Sequence, residues 1–184
     1  MLSAYVLLTT LFAVSVRAEQ CQLVEPPFSF LEAVLHSAGN TWYAQHQYGE
    51  ATIMSSKCYS IGFNILDVSL LHNSLNAPFT YYDECNVKKT VHFRCYMIGN
   101  KAKYYLVVNN RELTYNLIAH SPLNCSSDPW LVLYACQEGR PAAIVFTKEK
   151  KRCEKTIAEA VKAAQKVVKL PSNSTDLQCN TTDL

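Results

Sequence analysis

Eight cysteines and five histidines are the side chains with the most chemistry to offer. The cysteines are Cys21, Cys58, Cys85, Cys95, Cys125, Cys136, Cys153 and Cys179. No two form a C-x-x-C pair, the spacing that holds zinc or runs thiol–disulfide exchange. An even number behind a secretory leader predicts four disulfides instead. The histidines, His36, His46, His72, His92 and His120, show no metal-ligand spacing, so no metal site is expected. Serine, histidine and aspartate all occur, but there is no G-x-S-x-G elbow. With all eight cysteines paired there is no thiol nucleophile either, and no enzymatic activity is expected.

The leader is the run Ala4 to Val16, almost wholly apolar and closed by Val16-Arg17-Ala18, an A-x-A-like small-residue site. It is too short to span a bilayer and reads as a signal peptide, residues 1–18, cut after Ala18. Removing the first 18 of 184 residues leaves 166, residues 19–184, which suits a single domain with a sizeable core. Arg17 leaves with the signal, so 16 basic residues face 15 acidic ones. No basic face dominates, which argues against a nucleic-acid partner. No later stretch is long enough for a membrane span. Sequons at Asn124, Asn173 and Asn180 agree with glycosylation in a secretory pathway and an extracellular location.

The elements that must position these groups are mostly strands. Pro26 to Leu35 reads as an extended lead-in and one or two helical turns. Gly39 to Gly49 is a glycine bend followed by an alternating aromatic run. Lys57 to Leu71 alternates, with Tyr59, Ile61, Phe63 and Ile65 on one face. His72 to Pro78 carries turn chemistry. Strands are expected at Phe79–Asn86, Val91–Ile98, Lys103–Asn109, Glu112–His120, Trp130–Cys136 and Ala142–Lys148. Ser121 to Pro129 is a polar loop. Between Arg152 and Leu170, Cys153, Ile157, Val161, Ala164 and Val168 recur at helical spacing, and Pro171 ends the run. Eight closely spaced strands and no intervening helix predict an all-β fold, an antiparallel up-and-down barrel or a sandwich, with one C-terminal helix packed on its wall.

The layout resembles the lipocalin family. Gly39-Asn40-Thr41-Trp42 resembles its G-x-W opening, with Asn40 in the glycine position. Tyr115 to His120, a loop, and Trp130 to Cys136 resemble the second motif region, without its T-D-Y signature. The third motif's arginine, which packs over the tryptophan, has only Lys148 in its place. Cys136, Cys153 and Cys179 are placed most like those of arthropod lipocalins such as insecticyanin, the crustacyanin subunits and the triatomine salivary group. The resemblance implies an eight-stranded barrel, closed at one end by the helix and Trp42. It also implies Cys21–Cys136 and Cys58–Cys179 bridges, and a third at Cys125–Cys153. Cys85 and Cys95 remain, on two strands read as a hairpin turning near Thr90.

A barrel of eight strands holds one small ligand. The inward residues expected to touch it are Trp42, Ala44, His46, Tyr48, Tyr59, Ile61, Phe63, Ile65, Tyr105, Val107, Tyr115 and Leu117. Such a lining suits a small hydrophobic or amphipathic molecule such as a lipid or pigment. Haem-binding lipocalins use one axial histidine, for which His46 or His92 would serve; lone histidines are usually structural, so no cofactor is expected. The expected function is a secreted carrier or scavenger. The alternative is an effector of the salivary type whose loops block an enzyme or receptor, for which the lengthened Ser121–Pro129 loop speaks.

Overall fold

The computed structural model describes residues 21, 24–49, 58–63, 68–69, 74–82, 87–98, 101–108, 111–122, 128–137 and 139–177. The leader, Ile65, His72, Cys85, Cys125, Cys179, Asn124 and Asn180 therefore lie outside the described residues. Helix α1 spans Phe30–Ser37 and is followed by β1 (Thr41–Tyr48), β2 (Tyr59–Gly62), β3 (Val68–Ser69), β4 (Ser74–Tyr82) and β5 (Lys88–Ile98). Then come β6 (Lys101–Val108), β7 (Arg111–His120), β8 (Trp130–Gln137), β9 (Arg140–Thr147), helix α2 (Glu154–Ala164) and β10 (Ser174–Asp176).

Every pairing is antiparallel, and the order runs β1-β2-β4-β5-β6-β7-β8-β9 and back to β1. Those eight strands close into a barrel, so the wall has no free long edge. β3 is a two-residue addition to β4. β10 lies against β1, on the same edge that β2 takes up: β2 covers Thr41–Tyr43 and β10 covers His46–Tyr48, while β9 covers the other edge.

Two hydrophobic clusters share this wall. The inner one gathers Trp42, Ala44, Tyr59, Ile61, Phe63, Phe79, Tyr104, Tyr115, Leu117, Leu131, Leu133 and Phe146 with Ala33 of α1. The outer one places Ile118, Trp130, Val132, Tyr134, Ala143 and Val145 under Ala160, Ala164 and Val168. The alternation along β8 and β9 therefore vanishes, because both faces are covered. α2 docks through Thr156, Ile157, Ala160 and Ala164, and ends at Ala164 rather than Leu170, where turns take over. α1 begins with a capping box: the Ser29 hydroxyl accepts the Glu32 amide at 3.2 Å while Glu32 accepts the Ser29 amide at 2.8 Å.

Two local expectations are corrected. His72–Pro78 does not end as a turn, since β4 is already a strand at Ser74. Pro78 sits one position beyond the last β2–β4 pair, Ile61 with Phe79, where β2 requires no donor from it. The β4–β5 hairpin does not turn near Thr90 either. Thr90 lies opposite Thr80 within the ladder, their hydroxyls 3.2 Å apart, and the strands part after Tyr82 and Lys88. Cys95 is seven residues along β5 from that point, about 23 Å at the usual rise of a strand. Cys85 and the Cys95 side chain lie outside the described residues.

Cys21 is joined to Cys136, with 5.7 Å between Cα atoms, which ties the N-terminal arm to β8. Asn116 adds a hydrogen bond of 2.7 Å to the Val24 carbonyl of the same arm. Cys58 is also disulfide-bonded, to a cysteine whose side chain is not among those described. Cys153 keeps a free thiol, so the expected Cys125–Cys153 bridge is not formed. It stands at the start of α2, where hydrogen bonds from the Thr156 side chain and the first-turn backbone hold the thiol below its ordinary pKa.

Candidate functional site

The inner face of the barrel is where the fold concentrates its aromatic side chains. Its composition follows from strand parity, and parity changes once. Ala44 lies opposite Phe146 and His46 opposite Val145, so Gln45 is an extra residue, a β-bulge. Below the bulge, Trp42 and Ala44 face inward. Above it, Gln47 shares the inner parity with Ile144, while His46 and Tyr48 point to the outer side. Of the four β1 residues expected inside, the structure places two there and two on the outer wall. An alternating pattern carries no mark of a single inserted residue.

Tyr59, Ile61 and Phe63 face inward as their alternation requires. On β6 the register joins Tyr104 to Tyr115 and Tyr105 to Thr114, so Tyr104 is the inward tyrosine and Tyr105 is not. Val107 pairs with Glu112, one position off the inward Leu113. Tyr115 and Leu117 are inside. Sequence reasoning missed Gln47, Phe79, Tyr81, Tyr104, Leu133 and Phe146. For β4 and β9 the alternation would have supplied Phe79, Tyr81 and Phe146.

Polar groups on this wall are few, and they meet. The Tyr59 hydroxyl donates to Gln47 Oε1 at 2.5 Å, and Gln47 Nε2 donates to the Gly49 carbonyl at 3.3 Å. Burial raises both the Tyr59 and Tyr115 hydroxyls well above the tyrosine range, and Tyr115 adds to the effect on Tyr59. Both stay neutral donors at any physiological pH. Among the described residues no Asp, Glu, Lys or Arg is buried. The two histidines weighed as haem ligands are not there: His46 is on the outer wall and His92 is exposed.

One end of this interior is closed by α1. The Trp42 indole N–H donates to the Ser37 carbonyl at 3.3 Å and the ring is completely buried. The glycine bend that delivers it uses Gly39, whose φ of 74° is left-handed. The Gly39 amide bonds the Phe63 carbonyl at 2.6 Å, pinning the bend to the end of β2.

A cation from beyond the end of β9 reaches β1. Lys148 is exposed. Arg152, four residues later, donates to the Gln45 carbonyl at the bulge, to Asp176 Oδ1 at 2.8 Å and to Glu154 at 2.5 Å. His46 also reaches Asp176 Oδ1, at 2.6 Å. Burial works to raise the Asp176 carboxyl, yet the His46 hydrogen bond and the Arg152 charge outweigh it and hold the group below its ordinary pKa. The tail is thereby clipped across β1, and Leu177 beyond it is buried in the inner cluster. Gly49 marks the crossing: its amide bonds the Asn173 carbonyl at 2.9 Å, and a Cβ there would stand 2.1 Å from the Pro141 carbonyl oxygen.

A closed eight-stranded barrel, plugged by an N-terminal helix and flanked by a C-terminal one, is the lipocalin fold. Solved structures agree. Apocrustacyanin C1 superposes with a TM-score of 0.61 over 86% of this chain and 92% of its own, at 9% identity. Lobster apocrustacyanin A1 gives the same TM-score, coverage and identity. The siderocalin Ex-FABP gives 0.54 over 78% of this chain and 95% of its own, at 10% identity. No protein-family model and no curated protein matches the sequence.

Proposed function

We propose that this protein is a secreted carrier or scavenger of a small hydrophobic or amphipathic ligand held within the barrel. The observation that carries the reading is the inner wall: among the described residues it is a set of aromatic and aliphatic side chains whose polar contacts include the neutral pair Gln47–Tyr59. Moving an apolar molecule from water into such a wall is favourable without any catalytic group. The fold's company supports it, since the siderocalin Ex-FABP functions through dual ligand specificities. Secretion is supported by the leader and the Cys21–Cys136 bridge. Asn173, exposed beside β10, is positioned to carry a glycan. Among the described residues no helix is long and apolar enough to cross a membrane. Native mass spectrometry of protein secreted from eukaryotic cells tests the reading. A co-purified lipid or pigment released on denaturation is the expected result, and apoprotein that also takes up no apolar probe contradicts it.

A second reading has one observation in its favour. Trp42, Ala44, Ile61, Ala77, Leu117 and Phe146 are all 0% exposed, so this part of the interior is filled by its own side chains. A barrel packed in that way suits an effector that engages an extracellular enzyme or receptor through its loops.

A further inference from the structure

We propose that the closed end is an acid-released catch, in which α1 stays seated on the barrel only while its buried His36, one of a pair of facing imidazoles, is uncharged. The pair is His36 of α1 and His120 of β7, with ring centroids 4.5 Å apart and planes tilted by 32°. His36 is 6% exposed, and its Nε2 lies 3.2 Å from the Trp130 carbonyl, which makes that nitrogen the donor. His120 Nδ1 lies 2.8 Å from the Ser121 carbonyl and is likewise a donor. Its Nε2 is then a bare lone pair, and it is buried with no hydrogen-bond partner. The Phe28 ring lies 4.2 Å from that of His120, tilted by 48°, and the Trp42 ring lies 5.3 Å from that of His36.

A proton on His36 meets no counter-charge among the described residues. It would place a charge in a desolvated site beside His120. Among the described residues the surrounding elements supply no counter-charge to His36: β1 presents Trp42 and β8 presents the Trp130 carbonyl, while Phe28 of the lead-in lies against His120. β6, which α1 also touches, carries Tyr104 and Lys103. Glu32, the acid of α1 itself, is exposed and bound to Ser29. His120 is the one titratable neighbour acting on His36 among the described residues.

Burial first, and His120 second, depress the His36 pKa from 6.5 to about 4, against the hydrogen bond to Trp130. A depressed value means that released α1 binds the proton more readily than seated α1. The seat is therefore fully held above pH 6.5 and loses hold as the pH falls toward 4. Between pH 7.5 and 4.5 that linkage shifts the seating equilibrium by roughly a hundredfold. Release would uncover Ala33's place in the inner cluster and the base of Trp42.

Hydrogen exchange of the intact disulfide-bonded protein, corrected for intrinsic rates, tests this at pH 7.5 and 4.5. Amides of Ala33–Ser37 should lose protection by about a hundredfold while those of β8 and β9 keep theirs. In His36→Asn, whose amide can still donate to Trp130, the loss should vanish. If that variant is already unseated at pH 7.5, His120→Phe serves instead and should move the release to lower pH. Unchanged α1 protection in the parent, a loss shared equally by β8 and β9, or a release untouched by either variant overturns the proposal.

Discussion

The two halves of β1, either side of Gln45, are held by different physics. Below the bulge, Thr41–Ala44 is anchored by burial: Trp42 and Ala44 sit in the inner cluster under α1. Above it, His46–Tyr48 turns its other parity to the core and is held by a borrowed strand, β10, by the Asp176 clip and by a close backbone crossing at Gly49. The lower half depends on shape. The upper half depends on geometry and charge, so the two should fail differently.

The largest effect is expected below the bulge. Trp42→Ala should destabilise the fold by about 3–5 kcal/mol, read as a lowered denaturation midpoint. An unchanged midpoint would mean that burial is not what anchors this half. Gly49→Val should cost about 2–3 kcal/mol, because φ is 77° there and a Cβ meets the Pro141 carbonyl. A loss below 1 kcal/mol would show that the crossing can relax. Arg152→Gln should cost only about 1 kcal/mol, since Asp176 and Glu154 are largely exposed. Its signature is salt: the difference from the parent should shrink at high ionic strength, and a salt-independent loss would place the effect in the Gln45 contact alone. A covalent tie is checked by a non-reducing peptide map. Leu177 bonds the Gln45 carbonyl on the β1 edge where β2 ends, and Cys58 directly precedes β2, so Cys58 is expected to be joined to Cys179. Recovery of Cys58 with any other cysteine breaks the proposed crossing.

The lower half was legible in the sequence, and the upper half was not. A glycine bend before a tryptophan, and the clean alternation of Tyr59, Ile61 and Phe63, each have one physical solution, and the structure adopts it. The bulge at Gln45 has no such signal, because glutamine on either side of His46 looks alike to a period-two reading. Tyr104 and Tyr105 are equally suited to either face, so only the pairing with Tyr115 decides between them. Arg152 carries no local signal of its contact with β1, because the chain reaches that strand from beyond the end of β9. The His36–His120 pair joins residues on two distant elements and follows no local spacing. What the residues could not reveal was where two strands far apart in sequence would lie in register.

The corrected inner wall gives the most direct test of whether the barrel itself is the binding site. Tyr81 is an inward residue, 9% exposed, whereas Tyr105 faces away from the inner cluster. An apolar fluorophore titrated into the parent, Tyr81→Arg and Tyr105→Arg should saturate with the parent and with Tyr105→Arg. It should bind at least about tenfold more weakly to folded Tyr81→Arg, because an unpaired charge would face the ligand. Equal binding by all three, or none by the parent, would contradict a ligand carried inside the barrel.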